Sequence, residues 1–361
     1  MIRQNFNADW TVEKGDGNSR MNSFLGNTQT QTVHLPYDAM IHEARTPDTK
    51  NGAQTGFYPG GEYIFQKHFT APQAWQGKPV SLVFEGVYQT ALVYLNGWLL
   101  TRNVNGYAEF TVEADPYLKY GADNLLKVIA DNSLEPNSRW YTGSGIYRPV
   151  RLLVGNKVYL PQDTVRITTR EVGEGFALVD VTAQVQSASA VTERVTLQQT
   201  ICREGMAVLT DRQNLLLQPG ESRIVSFRYC VDSPALWSPE NPNLYTSTMQ
   251  VLEGEEELDR EETSFGIRTL SIDASHGVRI NGQTVKLRGA CIHHDNGILG
   301  AATLPDAEER RIRQLKEAGF NAIRSSHHPA GRALLPQSSC TWLFTAWPWP
   351  TGISWILANT A

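Results

Sequence analysis

Asn321-Ala-Ile-Arg-Ser-Ser-His-His-Pro329 decides how this chain is read. Its first half is a short apolar run of the kind that forms a buried strand. Its second half places hydroxyl and imidazole groups just before a proline. Lys286-Leu-Arg-Gly-Ala-Cys-Ile-His-His294 has the same plan upstream, an apolar run closing on two histidines. Between them, Asp306-Ala-Glu-Glu309 has the form of a capping box, Ile312 and Leu315 fall on one helical face, and Gly319 supplies a stop. Strand, helix, strand in that order predicts a βα unit with a parallel pair of strands.

Working back toward the N-terminus, the periodicity changes from helical to two-residue alternation. Val278-Arg-Ile-Asn-Gly-Gln-Thr-Val-Lys286 reads as a hairpin about Asn281-Gly282. Residues 156–269 read as an immunoglobulin-like β-sandwich, since Val179, Val181, Ala183 and Val185 alternate, as do Val225, Phe227 and Tyr229. Gln218-Pro-Gly-Glu-Ser222 is a turn signal, and Glu253-Gly-Glu-Glu-Glu257 reads as a solvated turn. Phe265-Gly-Ile-Arg-Thr-Leu270 is the expected last strand and bridge. Residues 1–155 read as a jelly roll, with alternation at Val80, Leu82 and Phe84, at Ala91, Val93 and Leu95, and at Leu126, Val128 and Ala130. Asn96-Gly97 predicts a type I′ hairpin, because both central residues tolerate positive φ.

Composition sets bounds. A chain of 361 residues with 41% hydrophobic residues can bury two or three domain cores. A net charge of −5 without a basic stripe argues against a nucleic-acid partner. Residues 1–10 lack the apolar centre of a signal peptide, so a cytoplasmic location is expected. Cys202, Cys230, Cys291 and Cys340 are widely spaced, against a metal ribbon, while a single Cys202–Cys230 disulfide stays open. No residue from Ala333 to Ala361 has a charged side chain, and Trp342, Trp347, Trp349 and Trp355 crowd into that tail. Pro348 and Pro350 interrupt its apolar run, against a membrane-spanning helix.

Three segments in the first domain carry a resemblance: Phe84-Glu-Gly-Val87, Val93-Tyr-Leu-Asn-Gly97 and Arg139-Trp-Tyr-Thr-Gly-Ser-Gly-Ile-Tyr-Arg-Pro-Val150. Leu236-Trp-Ser-Pro-Glu-Asn-Pro-Asn-Leu-Tyr245 carries it in the second, and the two histidine-bearing strand ends carry it in the third. Together they resemble the family 2 glycoside hydrolases, most closely their β-galactosidases. The resemblance implies that the jelly roll is a sugar-binding-like domain and that residues 270–335 are the first βα units of a TIM barrel. A whole barrel takes about 250 residues, so it is expected to be incomplete within this chain. Residues 336–361 depart from the family pattern and read as an atypical tail from a frame change or truncation.

The resemblance also implies a retaining glycosidase acting on a β-galactoside or related sugar, with no metal placed here and with a homo-oligomer open to full-length members. His293 matches a family histidine that contacts sugar, His327 a second one, and Arg324 an arginine beneath the site. Trp140 offers a ring for stacking on a sugar, while Tyr147 reads as packing. Retaining hydrolysis needs two carboxyl groups about 5–5.5 Å apart. The strand ends here offer one, Asp295, and the resemblance puts both catalytic glutamates on later strands, so no catalytic residue is assigned. His293, His294 and Asp295 are adjacent on a strand and point alternately, against a shared metal ion. The other reading is a non-catalytic carbohydrate-binding or scaffold fragment made from the two β domains.

Overall fold

The computed structural model describes residues 1–15, 30–134, 137–326, 328–334, 344–349 and 352–357. The chain is mainly β, and its described helices are short 3₁₀ turns and one α-helix. The N-terminal third is two antiparallel sheets face to face. One has six strands, in the order Gln31–Val33, Trp10–Lys14, Gly61–Thr70, Asp123–Asn132, Thr90–Leu95 and Trp98–Asn103. The other has four, in the order Ile2–Asn5, Val150–Val154, Val80–Phe84 and Phe110–Glu113. The alternating residues meet between them: Leu82, Phe84, Ala91, Val93, Leu95, Leu126 and Val128 are all fully buried with Trp10 and Phe65. Each such aliphatic or aromatic side chain contributes roughly 1.5–3 kcal/mol by leaving water. Asn96 and Gly97 take φ of 53° and 89° at the tip of the Thr90–Leu95 hairpin, as its sequence requires.

The second sandwich packs two four-stranded sheets over a separate core that includes Val179, Val181, Val185, Phe227 and Leu197. Cys202 lies on Glu193–Arg203 in one sheet and Cys230 on Ser222–Asp232 in the other, and both are free, which closes the disulfide question. The acidic turn is solvated, with Gly254 to Glu257 exposed, and Lys157 pairs with Glu253 at its edge at 2.7 Å. Trp237 is buried beside Ile280 and Ala322, and the Arg268 guanidinium lies 4.4 Å from its ring centre. It therefore joins the second sandwich to the third segment of the chain.

In that third segment, Leu270–Asp273, Gly277–Ile280 and Gln283–Thr284 form a small antiparallel sheet, with Asn281 and Gly282 both at positive φ. Gly289–Ile292 then pairs in parallel with Ala322–Ser325. Helix α1, Pro305–Glu317, connects them and lays Ile312 and Leu315 against Ile292, Ile323 and Leu334. The capping box at Asp306 is not formed. Pro305, which has no N–H to satisfy, opens the helix one residue earlier, and Leu304 stands at the N-cap without a side-chain bond. Gly319, with φ of 85°, ends the helix as expected. In the tail, Phe344–Trp349 and Gly352–Leu357 pair as an antiparallel hairpin, and the rest of 335–361 lies outside the described residues. No helix among the described residues is long and apolar enough to cross a membrane.

Candidate functional site

Two buried groups hold the third segment against the jelly roll. The Asp38 carboxylate, 1% exposed, accepts hydrogen bonds from the backbone N–H of Met40 and Ser144 at 3.0 Å each. Its other oxygen accepts from Tyr141 Oη at 2.6 Å and Ala301 N–H at 2.8 Å. One carboxylate thus ties the aromatic segment 139–150 to the loop before α1. Gly300 leaves room for it: a Cβ there would sit 2.2 Å from Asp38 Oδ2. The second group is Arg148, 2% exposed, which donates to the carbonyls of Tyr107 at 3.0 Å and Pro329 at 2.7 Å.

These clamps set the histidine-bearing strand ends beside the aromatic segment. Cys291 and Ile292 close the strand, and His293 and His294 follow where the chain leaves the sheet. Arg324 pairs in register with Cys291 and is exposed beside it, 3.9 Å from its sulfur. The His293 ring packs on Trp140 with centroids 5.2 Å apart, and Trp140 Nε1 donates to Tyr107 Oη at 3.2 Å. Arg311 of α1 fixes this strand end by donating to the carbonyls of His293 at 2.9 Å and Asp295 at 2.6 Å. The sequence candidates His293 and Trp140 are therefore in contact, and Arg324 lies exposed on the neighbouring strand beside Cys291. His327 lies outside the described residues. Tyr147 is fully buried and donates to the Gly106 carbonyl at 2.9 Å, a packing role. Burial pushes its hydroxyl up to about 12.

Behind the Trp140–His293 contact is a group the sequence did not single out. His294, 5% exposed, donates through Nε2 to the Thr142 carbonyl at 2.9 Å, and stands edge-on to Tyr107 with centroids 5.3 Å apart. Tyr107 stacks on His328 at 4.9 Å. Burial, and next the neighbouring His328 ring, hold the His294 imidazole well below its ordinary pKa, so it is neutral. A small cavity of about 20 Å³, room for little more than one water, lies among Arg148, His293, His294, Glu308, Arg311 and His328. Glu308, raised by burial, accepts from Asn296 at 3.2 Å and lies 3.7 Å from Arg311. The signal for Arg148 and His294 was their place inside the quoted motifs; their burial needed the interface itself. Among the described residues no cluster of three or more metal-ligating side chains occurs.

The glycosyl hydrolase 2 galactose-binding domain-like model matches residues 10–166, and the glycosyl hydrolases family 2 model matches residues 158–268. The chain belongs to glycosyl hydrolase family 2. It is 36% identical over 334 residues to the β-galactosidase BoGH2A of Bacteroides ovatus, covering 92% of this chain and 39% of that protein. It is 32% identical over 329 residues to a putative β-glucuronidase of Formosa agariphila, covering 91% of this chain and 31% of that one. Among solved structures, a family 2 member from Bacteroides cellulosilyticus matches with a TM-score of 0.89 at 34% identity, covering 96% of this chain and 45% of the other. The chain thus spans well under half the length of these relatives.

Proposed function

We propose that this chain forms the sugar-facing N-terminal part of a retaining β-galactosidase-like glycosidase. In this reading residues 1–155 are the sugar-binding-like jelly roll, 156–269 the immunoglobulin-like sandwich, and 270–335 the first βα units of a TIM barrel. The observation that carries it is the contact of Trp140 with His293, beside the strand that bears Arg324. An indole offers an apolar plane to the axial hydrogens of a pyranose, and a neighbouring imidazole can bond its hydroxyls. Arg324, and His327 by its motif, complete the polar side of that site. Arg324 can also keep a carboxylate ionised beside it, as a nucleophile requires. The two carboxyl groups of retaining hydrolysis come, in this reading, from later strands of the barrel.

Binding of methyl β-galactoside to the 361-residue chain, read by saturation-transfer NMR, tests the proposal. Trp140→Ala and His293→Ala are each expected to weaken it about tenfold, the loss of one stacking or hydrogen-bonding contact. Affinity unchanged in both variants would remove this site.

A further inference from the structure

A second cleft, remote from His293, opens where the jelly roll meets the second sandwich. Its volume is about 430 Å³, within the range of small-ligand sites, which favour domain interfaces. Its walls come from both domains. Lys78, Ser81, Glu113, Asp115 and Tyr120 belong to the first and Tyr159 to the second. Phe110–Glu113 is the edge strand of the four-stranded sheet, so the cleft runs beside an open sheet edge.

The chemistry of this lining is specific. Tyr159 is half-buried on the short strand Val158–Tyr159 and lines the cleft together with Glu113 and Asp115. Tyr120 donates to the Asp115 carbonyl at 3.3 Å, which leaves the Asp115 carboxylate only a long 3.4 Å contact with the Val80 N–H. The Glu113 carboxylate, the Lys78 ammonium and the Tyr159 hydroxyl take no hydrogen bond from a described residue. Two carboxylates disfavour an anionic ligand. One ammonium among them, and no third acidic or imidazole group, leaves an incomplete shell for a divalent cation. Acceptors, donors and two phenol rings around one cleft suit an uncharged ligand rich in hydroxyl groups.

We propose that this interdomain cleft is an ancillary saccharide site, in which Tyr159, Glu113 and Asp115 bind the hydroxyls of a neutral sugar. It is independent of the Trp140–His293 face and holds a glycan by a second point. Because its walls belong to two domains, an occupied cleft also stiffens the joint between them.

The test titrates the full chain with lactose and, separately, cellobiose, following saturation transfer in the unaltered protein, in Tyr159→Phe/Glu113→Gln, and in Trp140→Ala. Thermal melting shows that each variant is folded, and both exchanges in the double variant keep side-chain shape. The expected result is that saturable binding of at least one disaccharide survives Trp140→Ala and weakens about tenfold in the double variant, as the loss of hydrogen bonds to uncharged hydroxyls predicts. Unchanged binding in the double variant overturns the ancillary site. So does complete loss in Trp140→Ala, a result that leaves the Trp140–His293 reading standing. Absence of saturable binding of both disaccharides also overturns it. Loss in the double variant alone, with Trp140→Ala unaffected, supports the cleft and counts against the Trp140–His293 face.

Discussion

His294 stands edge-on to His328, with ring centroids 4.9 Å apart and planes at 89°, and both side chains are 5% exposed. The His294 imidazole cannot take up a proton cheaply, because burial, the His328 ring and the buried Arg148 guanidinium all oppose it. The pair is the hinge pin between the jelly roll and the parallel strands, so its charge state bears on whether those parts stay together.

The first prediction rests on the sign of that shift. His294 is depressed when folded and ordinary when unfolded, so below about pH 6.5 the unfolded chain binds more protons. Stability is fully present above about pH 6.5 and is lost as pH falls toward the folded value. His293, Glu308 and Arg311 also line this cavity, and Glu308, raised by burial, titrates in the opposite sense. His294→Gln keeps an amide donor for the Thr142 carbonyl and cannot titrate. Melting temperature measured between pH 5 and 8 should fall on acidification in the unaltered protein and fall less steeply in the variant. Equal slopes would remove His294 from the acid response.

A second prediction concerns Arg332, which reaches all three parts of the chain. It donates to Glu109 of the jelly roll at 2.6 and 2.8 Å and to Asp163 of the second sandwich at 2.8 Å. Burial alone lowers its affinity for a proton, but the bonds to Glu109 and Asp163 outweigh that and raise it. The three side chains remain about one-third exposed, which keeps the pair well below the value of a fully buried one. Arg332→Ala should cost about 1–2 kcal/mol, and Arg332→Lys, which lacks the planar fork, should recover only part of it. Denaturant unfolding followed by tryptophan fluorescence reads the difference. No change in midpoint for Arg332→Ala would show that the clasp is superficial.

Asp38 gives a third prediction. Its four accepted hydrogen bonds are buried, and an alanine would leave the Ser144 and Ala301 N–H groups unpaired. Asp38→Ala should destabilise the chain by at least about 3 kcal/mol. Gly300→Ala should act on the same contact by a different route, since it adds a Cβ at φ of 60° against the carboxylate. The double variant should then cost less than the sum of the two. Additive losses, measured by urea denaturation, would separate Gly300 from Asp38.

Much of this architecture was legible in local pattern. Asn96-Gly97 and Asn281-Gly282 specify their turns because few residues tolerate positive φ, and Leu82 or Val181 specify a face because strands alternate. The pairing of His293 with Trp140 was readable only as two motifs, since nothing local joins residue 140 to residue 293. His294 and Arg148 were inside those motifs, yet their role depends on the Thr142, Tyr107 and Pro329 carbonyls, which only the assembled interface brings near. The capping box failed for a local reason: Pro305 fits the first helical position and moved the start past the expected cap.

The last prediction is about chemistry. Retaining hydrolysis needs an acid to protonate the leaving oxygen and a second carboxylate for the anomeric carbon, about 5–5.5 Å from the first. At the described strand ends Asp295 is exposed, and its carbonyl is held by Arg311. Glu308 lines the cavity behind His293, but its carboxylate is engaged by Asn296 and lies beside Arg311. General acid–base help alone is worth typically 10²–10⁴-fold, and without a nucleophile the covalent route is closed. The 361-residue chain assayed with an aryl β-galactoside should therefore show no turnover above a matched His293→Ala preparation. Adding a separately produced polypeptide with the remaining barrel strands of a family 2 enzyme should restore turnover if the strand ends described here form one wall of the site. Turnover by the chain alone, abolished by Glu308→Gln, would instead make Glu308 a catalytic carboxylate.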